Sequence, residues 1–392
     1  MRMLVLGGGA QGTAVAFDLL RTSEVESVVL VDHRMQELPE FLRSHQEGKL
    51  QVQVADASDE GVMAELMKGM DAVLCALPYY FNLPMSRLAL DARAHYADLG
   101  GNTQIVEEQR ALDPLARERG LSMIPDCGLA PGMVNILAQA GMEGLEEVDS
   151  VRMWVGGLPQ EPKPPLNYQV VYSLEGVLDY YTTPGIILQE GEVREVEALS
   201  GLETVVFPEP LGELEAFYTA GGASTLPTRY EGRVRTLEYR TLRYPGHAQI
   251  MSALRALGLL DTEPVDVDGV KVSPRNLFIR RAGPLLTDPH GRDVVALRVE
   301  VRGKGAEGPE GIRYDLMDFS DPDTGITAMM RCTGYSLAIT GLMQVRGEVE
   351  PGVRTPDEAV PAERYLEALA ERGIRVEVSR EPTPVGGGGS DR

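Results

Sequence analysis

The sequence predicts an α/β protein: an N-terminal Rossmann-type doubly wound parallel sheet, then a second α+β domain carrying a mostly antiparallel sheet. Three observations carry this prediction. A glycine-rich turn joins an apolar run to an amphipathic segment at the N-terminus. Apolar runs then alternate with helical patterns as far as residue 124. After residue 126 the strand patterns alternate in polarity and the connections become turn-rich.

The first element is Met3-Leu4-Val5-Leu6, apolar throughout, as a buried strand requires. Gly7-Gly8-Gly9-Ala10-Gln11-Gly12 follows and runs into a helical pattern from Thr13 to Arg21. Gly7, Gly9 and Gly12 have the spacing of a dinucleotide-binding turn. The first glycine turns the chain, the second admits a pyrophosphate to the backbone, and the third lets helix and strand pack closely. Free N–H groups at the start of that helix favour an anion. Val28 to Val31 form the second strand, and Asp32 ends it 20 residues after Gly12, where an acid meets the ribose hydroxyls. Such an acid favours NAD and repels a 2′-phosphate, whereas Arg34 would pair with one. Gly7, Gly9, Ala10, Gln11, Gly12, Asp32, His33 and Arg34 are therefore cofactor-site candidates.

Residues 35–47 read as a helix and 50–54 as an alternating strand, with Asp56 and Ala57 at its end, beside the expected adenine position. Asp59 also suits the cap of a helix over 60–68. Residues 71–77 make a near-continuous apolar run, the signature of a parallel strand buried on both faces. Leu77, Pro78 and Tyr79 lie at its carboxyl end, where open α/β sheets bind ligands. Helices follow over 83–94 and 105–119, with strands at 95–98 and 121–124. Pro131 then introduces an apolar helix over 133–140. Strands at 151–155, 204–207, 234–239 and 294–301 build the second domain. An apolar helix over 328–345, a further helix over 357–372 and a strand over 374–378 close the ordered chain. The tail from Glu381 to Arg392, with its four glycines, lacks the apolar content to order itself.

At 392 residues, 43% hydrophobic and 24% charged, the chain can bury two cores and reads as soluble. No apolar run reaches the ~18 residues of a membrane helix, and no segment resembles a secretion signal. Cys75, Cys127 and Cys332 are too few and too far apart for a disulfide framework or a Cys-x-x-Cys metal site, which fits a reducing cytoplasm and no metal. The net charge of −22 argues against nucleic acid.

The side chains with chemistry cluster in a few places. Asp126 ends the last strand of the first domain, near the expected nicotinamide position. In Arg240-Thr241-Leu242-Arg243-Tyr244-Pro245-Gly246-His247, an arginine fork suits a carboxylate, and the imidazole suits proton transfer or a hydrogen-bonded turn. Glu213 to Pro227 combines acids with a Gly221-Gly222 turn, fit for lining an ammonium pocket or for a surface loop. Cys127 reads as a packed thiol.

Five segments together closely resemble the saccharopine dehydrogenase family, nearest its lysine 6-dehydrogenases: Gly7 to Gly12, Asp98-Leu99-Gly100-Gly101-Asn102, Pro125 to Gly132, Thr219 to Pro227, and Arg243-Tyr244-Pro245-Gly246-His247. The resemblance runs from Met1 to about Glu377. It implies an NAD-binding domain over 1–127, a substrate-binding and dimerising domain over 128–325, and C-terminal helices over 326–380 returning to the first domain. It also implies a homodimer that oxidatively deaminates the ε-amine of L-lysine with NAD, giving an aldehyde that cyclises to piperideine-6-carboxylate. Arg243, Tyr244, Asp98, Asn102 and Glu215 are the substrate-binding candidates, and Asp126 and His247 the acid–base pair, in either order. Gly128-Leu129-Ala130-Pro131-Gly132 replaces the Gly-Leu-Asp-Pro-Gly of the saccharopine reductases and moves the reading away from saccharopine. A reductase joining an amino acid to an aldehyde, of the saccharopine or carboxynorspermidine type, is the second reading. A non-catalytic NAD-binding sensor is the third.

Overall fold

The computed structural model describes residues 1–34, 37–43 and 48–382. Strands β1 (Arg2–Leu6), β2 (Ser27–Asp32), β3 (Leu50–Val54), β4 (Ala72–Cys75), β5 (His95–Asp98) and β6 (Ser122–Ile124) pair in parallel, in the order β3-β2-β1-β4-β5-β6. Their unbroken apolar runs follow from helices covering both faces: all four residues of β4 are buried. Strand order reverses between β1 and β4, so a crevice opens at the carboxyl ends of these two. The helix expected over 105–119 is two, Thr103–Arg110 and Asp113–Arg119. Pro114 cannot donate a helical hydrogen bond and instead begins the second. Of the helix expected over 35–47, Glu40–Arg43 is helical, and residues 35–36 and 44–47 lie outside the described residues.

The second domain holds β7 (Glu147–Pro159), β8 (Gly185–Gln189), β9 (Glu192–Val196), β10 (Glu203–Val206), β11 (Glu213–Tyr218), β12 (Thr236–Arg243), a separate hairpin of β13 (Val265–Val267) and β14 (Val270–Val272), and the long hairpin β15 (Asp293–Gly305) and β16 (Gly308–Phe319). The main sheet runs β10-β11-β12-β7-β15-β16, antiparallel except where β12 lies parallel to β7. Alternation along β12 turns Tyr239, Thr241 and Arg243 to one face and Glu238, Arg240 and Leu242 to the other.

The C-terminal segment belongs to both sheets. Residues 328–345 form one helical rod interrupted by a π turn at Arg331–Tyr335. Its glycines let it sit close to the first sheet: a Cβ on Gly341 would lie 2.6 Å from Leu74, and one on Gly334 would lie 2.8 Å from Ala14. The buried Gln344 amide donates to the carbonyls of Tyr96 and Ser122, 2.9 Å each, tying the rod to β5 and β6. A seventh parallel strand, β17 (Gly352–Val353), extends the sheet beyond β6. Farther on, Arg372 Nε grips both carboxylate oxygens of buried Asp18, at 2.8 and 2.9 Å. The last strand, β18 (Glu377–Pro382), pairs with β16, so Glu381 and Pro382 are ordered rather than part of a tail. An edge strand pairs through its backbone, and this one is exposed along its whole length, so its composition carries no apolar signal. Residues 383–392 lie outside the described residues.

Candidate active site

The glycine turn has the geometry its spacing predicts. Gly7 has φ +100°, and a Cβ on it would lie 2.8 Å from the Ala76 carbonyl oxygen. A Cβ on Gly12 would lie 1.8 Å from the Gly7 carbonyl oxygen, so helix Ala10–Arg21 sits against the strand. Gly9 faces open space, and its helix starts there with no side-chain cap. Opposite, Pro78 and Tyr79 form the exposed rim at the end of β4, with half-buried Leu77 behind them. Asp32 accepts from the backbone N–H of Gly8 at 2.7 Å and of Arg34 at 2.8 Å, with His33 Nδ1 at 3.1 Å. Partial burial pushes the Asp32 carboxyl up, but these donors outweigh it and hold the group ionised, below its usual range. Asp56 is exposed and accepts from Ser58, Ala57 is half-buried, and Asp59 caps its helix through the Val62 N–H at 3.1 Å. Both polar atoms of the Gln11 side chain are buried without a partner. An orphaned amide beside an open glycine and a free helix start is what a nucleotide would satisfy, so these residues fit a dinucleotide.

Asp126, just beyond the carboxyl end of β6, is the focus of the second region. Its backbone is left-handed at φ +65°, an uncommon conformation for an aspartate, and the carboxyl is 2% exposed. Gly100 makes this possible, since a Cβ there would lie 1.7 Å from Asp126 Oδ1. Ser224 Oγ donates to Oδ2, and Oδ1 has no hydrogen-bond partner. Burial pushes the Asp126 carboxyl up to about 7, with the Asp98 and Asp357 charges adding to it. The Ser224 hydroxyl pulls the other way. The Ser224 loop is held by Asn135, whose amide donates to Ala223 O at 3.1 Å while its oxygen accepts from Gly132 N–H at 2.7 Å. Tyr180 and Tyr239 back the same loop: Cβ atoms on Gly221 and Gly222 would run into their rings.

Arg243 lies 4% exposed at the end of β12, its guanidinium 5.0 Å from the centre of the Tyr168 ring. Nε donates to Tyr181 Oη at 3.0 Å and NH1 to the Leu242 carbonyl at 2.8 Å. Among the described residues no carboxylate lies within ion-pair distance of it, whereas Arg229, Arg331 and Arg372 each have one. A buried guanidinium with no carboxylate in ion-pair distance has the chemistry to receive one from outside the chain.

The structure gives several of the expected site residues partners within the chain. His247, expected to move protons, is 2% exposed with both nitrogens engaged: Nδ1 lies 3.0 Å from the Leu166 carbonyl and Nε2 lies 3.0 Å from Tyr181 Oη. A carbonyl only accepts, so Nδ1 carries the proton and the Nε2 lone pair is taken by the Tyr181 hydroxyl. Burial, then the Arg243 charge, push the imidazole down to about 3, against the opposing pull of the Leu166 carbonyl. Asp98, expected on the substrate, is fully buried. Its oxygens accept from Gly100 N–H, Asp126 N–H and the Gln109 amide, so it braces the Asp126 turn. Asn102 caps helix Thr103–Arg110 through the Ile105 N–H at 3.2 Å. Glu215 accepts from the Gly246 and Ala248 N–H groups and so caps helix His247–Ala256 from the neighbouring strand. Tyr244 packs with the Trp154 and Leu158 cluster, its hydroxyl donating to Pro159 O at 2.9 Å. Neighbouring residues at a strand end face opposite ways, so it cannot join Arg243. Cys127 is buried, its thiol pushed well up by that burial. Sequence reasoning missed Ser224 as the partner of Asp126 and Tyr168 and Tyr181 as partners of Arg243. Ser224 stands in a segment already singled out, but the tyrosines lie some 60 to 75 residues before Arg243 and only the fold joins them.

Two family models match the chain: the saccharopine dehydrogenase NADP binding domain over residues 3–124 and the saccharopine dehydrogenase C-terminal domain over 128–374. The mitochondrial alpha-aminoadipic semialdehyde synthase of Rattus norvegicus is 23% identical over 273 residues, 67% of this chain and 29% of that protein. Saccharopine dehydrogenase [NADP(+), L-glutamate-forming] of Schizosaccharomyces pombe is 23% identical over 218 residues, 53% of this chain and 47% of that protein. The chain thus spans less than a third of the first relative and about half of the second. Among solved structures, apo saccharopine dehydrogenase (L-Glu forming) from Saccharomyces cerevisiae superposes with a TM-score of 0.79 at 18% identity, covering 97% of this chain and 99% of that one. Homospermidine synthase from Legionella pneumophila, in complex with NAD, gives 0.69 at 13% identity, covering 97% and 91%. These structures share the fold. With models matched over both domains, the chain belongs to the saccharopine dehydrogenase family.

Proposed function

We propose that this protein is an NAD-dependent dehydrogenase that oxidises the ε-amine of L-lysine. The carrying observation is a pair of groups of opposite charge, each unsatisfied: an Asp126 oxygen without a hydrogen-bond partner just beyond β6 and, at the end of β12, an Arg243 guanidinium without a carboxylate. A zwitterionic chain with an amine at one end and a carboxylate at the other answers both.

NAD accepts the hydride in such a reaction, and the residues at the Gly7–Gly12 turn, Gln11 and Asp32 would hold it. The chain's own residues do the rest. An ε-ammonium has an unperturbed pKa near ~10.4 and must lose a proton before hydride can leave the ε-carbon. Asp126, pushed up to about 7, is a stronger proton acceptor than an ordinary carboxylate and still largely ionised at mildly alkaline pH. Arg243 orients the substrate from its carboxylate end. Hydride loss leaves an iminium; water then releases ammonia and an aldehyde, which closes onto the α-amine to give piperideine-6-carboxylate.

Asp32 supports NAD, while the exposed Arg34 and the NADP binding domain named by the matching model favour the phosphorylated cofactor as the second reading. A homodimer is part of the proposal: Leu257, Val265, Val267, Val270, Leu277 and Leu285 are each at least half exposed within one short stretch, and a lone two-stranded hairpin is marginal in water. Nicotinamide reduction over a panel of L-lysine, cadaverine, homospermidine and saccharopine, with each cofactor, tests the reading. L-Lysine with NAD is expected to give the highest kcat/KM. Turnover of saccharopine alone would move the assignment to the reductase class.

A further inference from the structure

The buried tyrosine and histidine behind Arg243 form a hydrogen-bond series with one direction. Arg243 Nε–H donates to Tyr181 Oη at 3.0 Å. The Tyr181 hydroxyl must therefore send its own proton onward, to His247 Nε2 at 3.0 Å. His247 Nδ1–H ends the series on the Leu166 carbonyl at 3.0 Å. Phe217 lies parallel to the imidazole, with ring centres 6.4 Å apart and planes within 6°, and the Tyr168 ring centre lies 5.4 Å away. Every member is neutral except the arginine. A carboxylate in the place of Tyr181 would hold Arg243 equally well but cancel its charge.

Resting on the carboxylate-binding role given to Arg243 above, we propose that Tyr181 and His247 are positioning residues that aim the Arg243 guanidinium at the substrate carboxylate while leaving its charge free. Neither touches the reacting carbon. The series predicts that what matters at position 247 is an acceptor at the place of Nε2.

The test compares Tyr181→Phe, His247→Asn and His247→Gln in the full-length enzyme. Glutamine reaches about as far as Nε2 with an amide oxygen, and asparagine reaches only as far as Nδ1. Tyr181→Phe and His247→Asn are expected to raise KM for L-lysine by roughly 10- to 100-fold, the loss of a hydrogen bond to a charged group, with kcat and the KM for NAD within about threefold. His247→Gln is expected to stay within about threefold throughout, and the double variant Tyr181→Phe/His247→Asn to be no worse than either single one. Cadaverine, which lacks the carboxylate, is expected to feel none of these changes. Equal losses of kcat in the Asn and Gln variants, with KM unmoved, would overturn the proposal and make His247 a proton carrier. A second readout does not depend on turnover. With 15N-labelled histidine, one of the five imidazoles is expected to keep the neutral Nδ1–H form from about pH 5 to 9 and to vanish in His247→Gln. A His247 signal that protonates in that range would refute the series even if no amine proved to be a substrate. The intact signal without amine turnover would fault only the reading of the substrate.

Discussion

Replacing Asp126 by asparagine changes two measurable quantities in opposite directions. The carboxyl is pushed from its usual 3.8 to about 7, chiefly by burial. At ~1.4 kcal/mol per pH unit, ionising it inside the fold costs about 4 kcal/mol at most. The sign follows from the raised folded value: the native state binds the proton more tightly than the unfolded chain. The contribution to stability is therefore complete below pH ~4 and is lost as the pH rises through about 7. Asparagine keeps the shape and carries no charge, so at pH 9 the variant is expected to melt several degrees above the wild type, with the gap much smaller at pH 5. Turnover should fall instead, by ~100-fold or more, and the rise of kcat/KM with pH near 7 should disappear. Thermal melts at both pH values, beside initial rates of NADH formation, supply the assay. A variant less stable than wild type at pH 9, or one with near-normal turnover, would refute the assignment of Asp126 as the buried proton acceptor.

Ser224→Ala removes the hydroxyl that pulls the Asp126 carboxyl down, so the pH at which kcat/KM reaches half its plateau is expected to move upward, read from a pH–rate profile. Asp32→Ser removes the acid that meets the ribose hydroxyls, and titration of NADH and NADPH should show the preference for NAD narrowing; tighter NADPH binding by the wild type would sink the NAD proposal. Ending the chain at Gly325 uncovers the faces of β4, β5 and β6 that residues 328–345 bury, so the truncated protein should be insoluble or fail to bind NAD.

The first domain was legible because its elements are local. Strand runs, the glycine turn and Asp32 each declare themselves within about 10 residues, and the parallel sheet follows from their alternation with helices. The helix predicted over 105–119 runs past the break that Pro114 marks. The last strand was misplaced because an edge strand of exposed polar residues leaves no periodic signal. The site divides in the same way. Asp126 and Arg243 could be singled out as chemistry looking for a partner, and the structure leaves each with an unpaired group. The role of His247 was not legible: its burial and its partners Tyr181 and Leu166 come from segments 66 and 81 residues away. The partners of Glu215 and Asp98 are illegible for a like reason. A carboxylate in sequence looks the same whether it faces a substrate or a backbone N–H, and both of these face backbone.

The central claim is that hydride leaves the carbon beside the ε-amine, and isotope transfer tests it most directly. The enzyme would be run with NAD and L-lysine deuterated either at C6 or at C2, and the reduced nicotinamide examined by mass spectrometry and NMR. The account predicts deuterium in the nicotinamide from C6-labelled lysine and none from C2-labelled lysine. Deuterium arriving from C2, or none from C6 while NADH still forms, would contradict it.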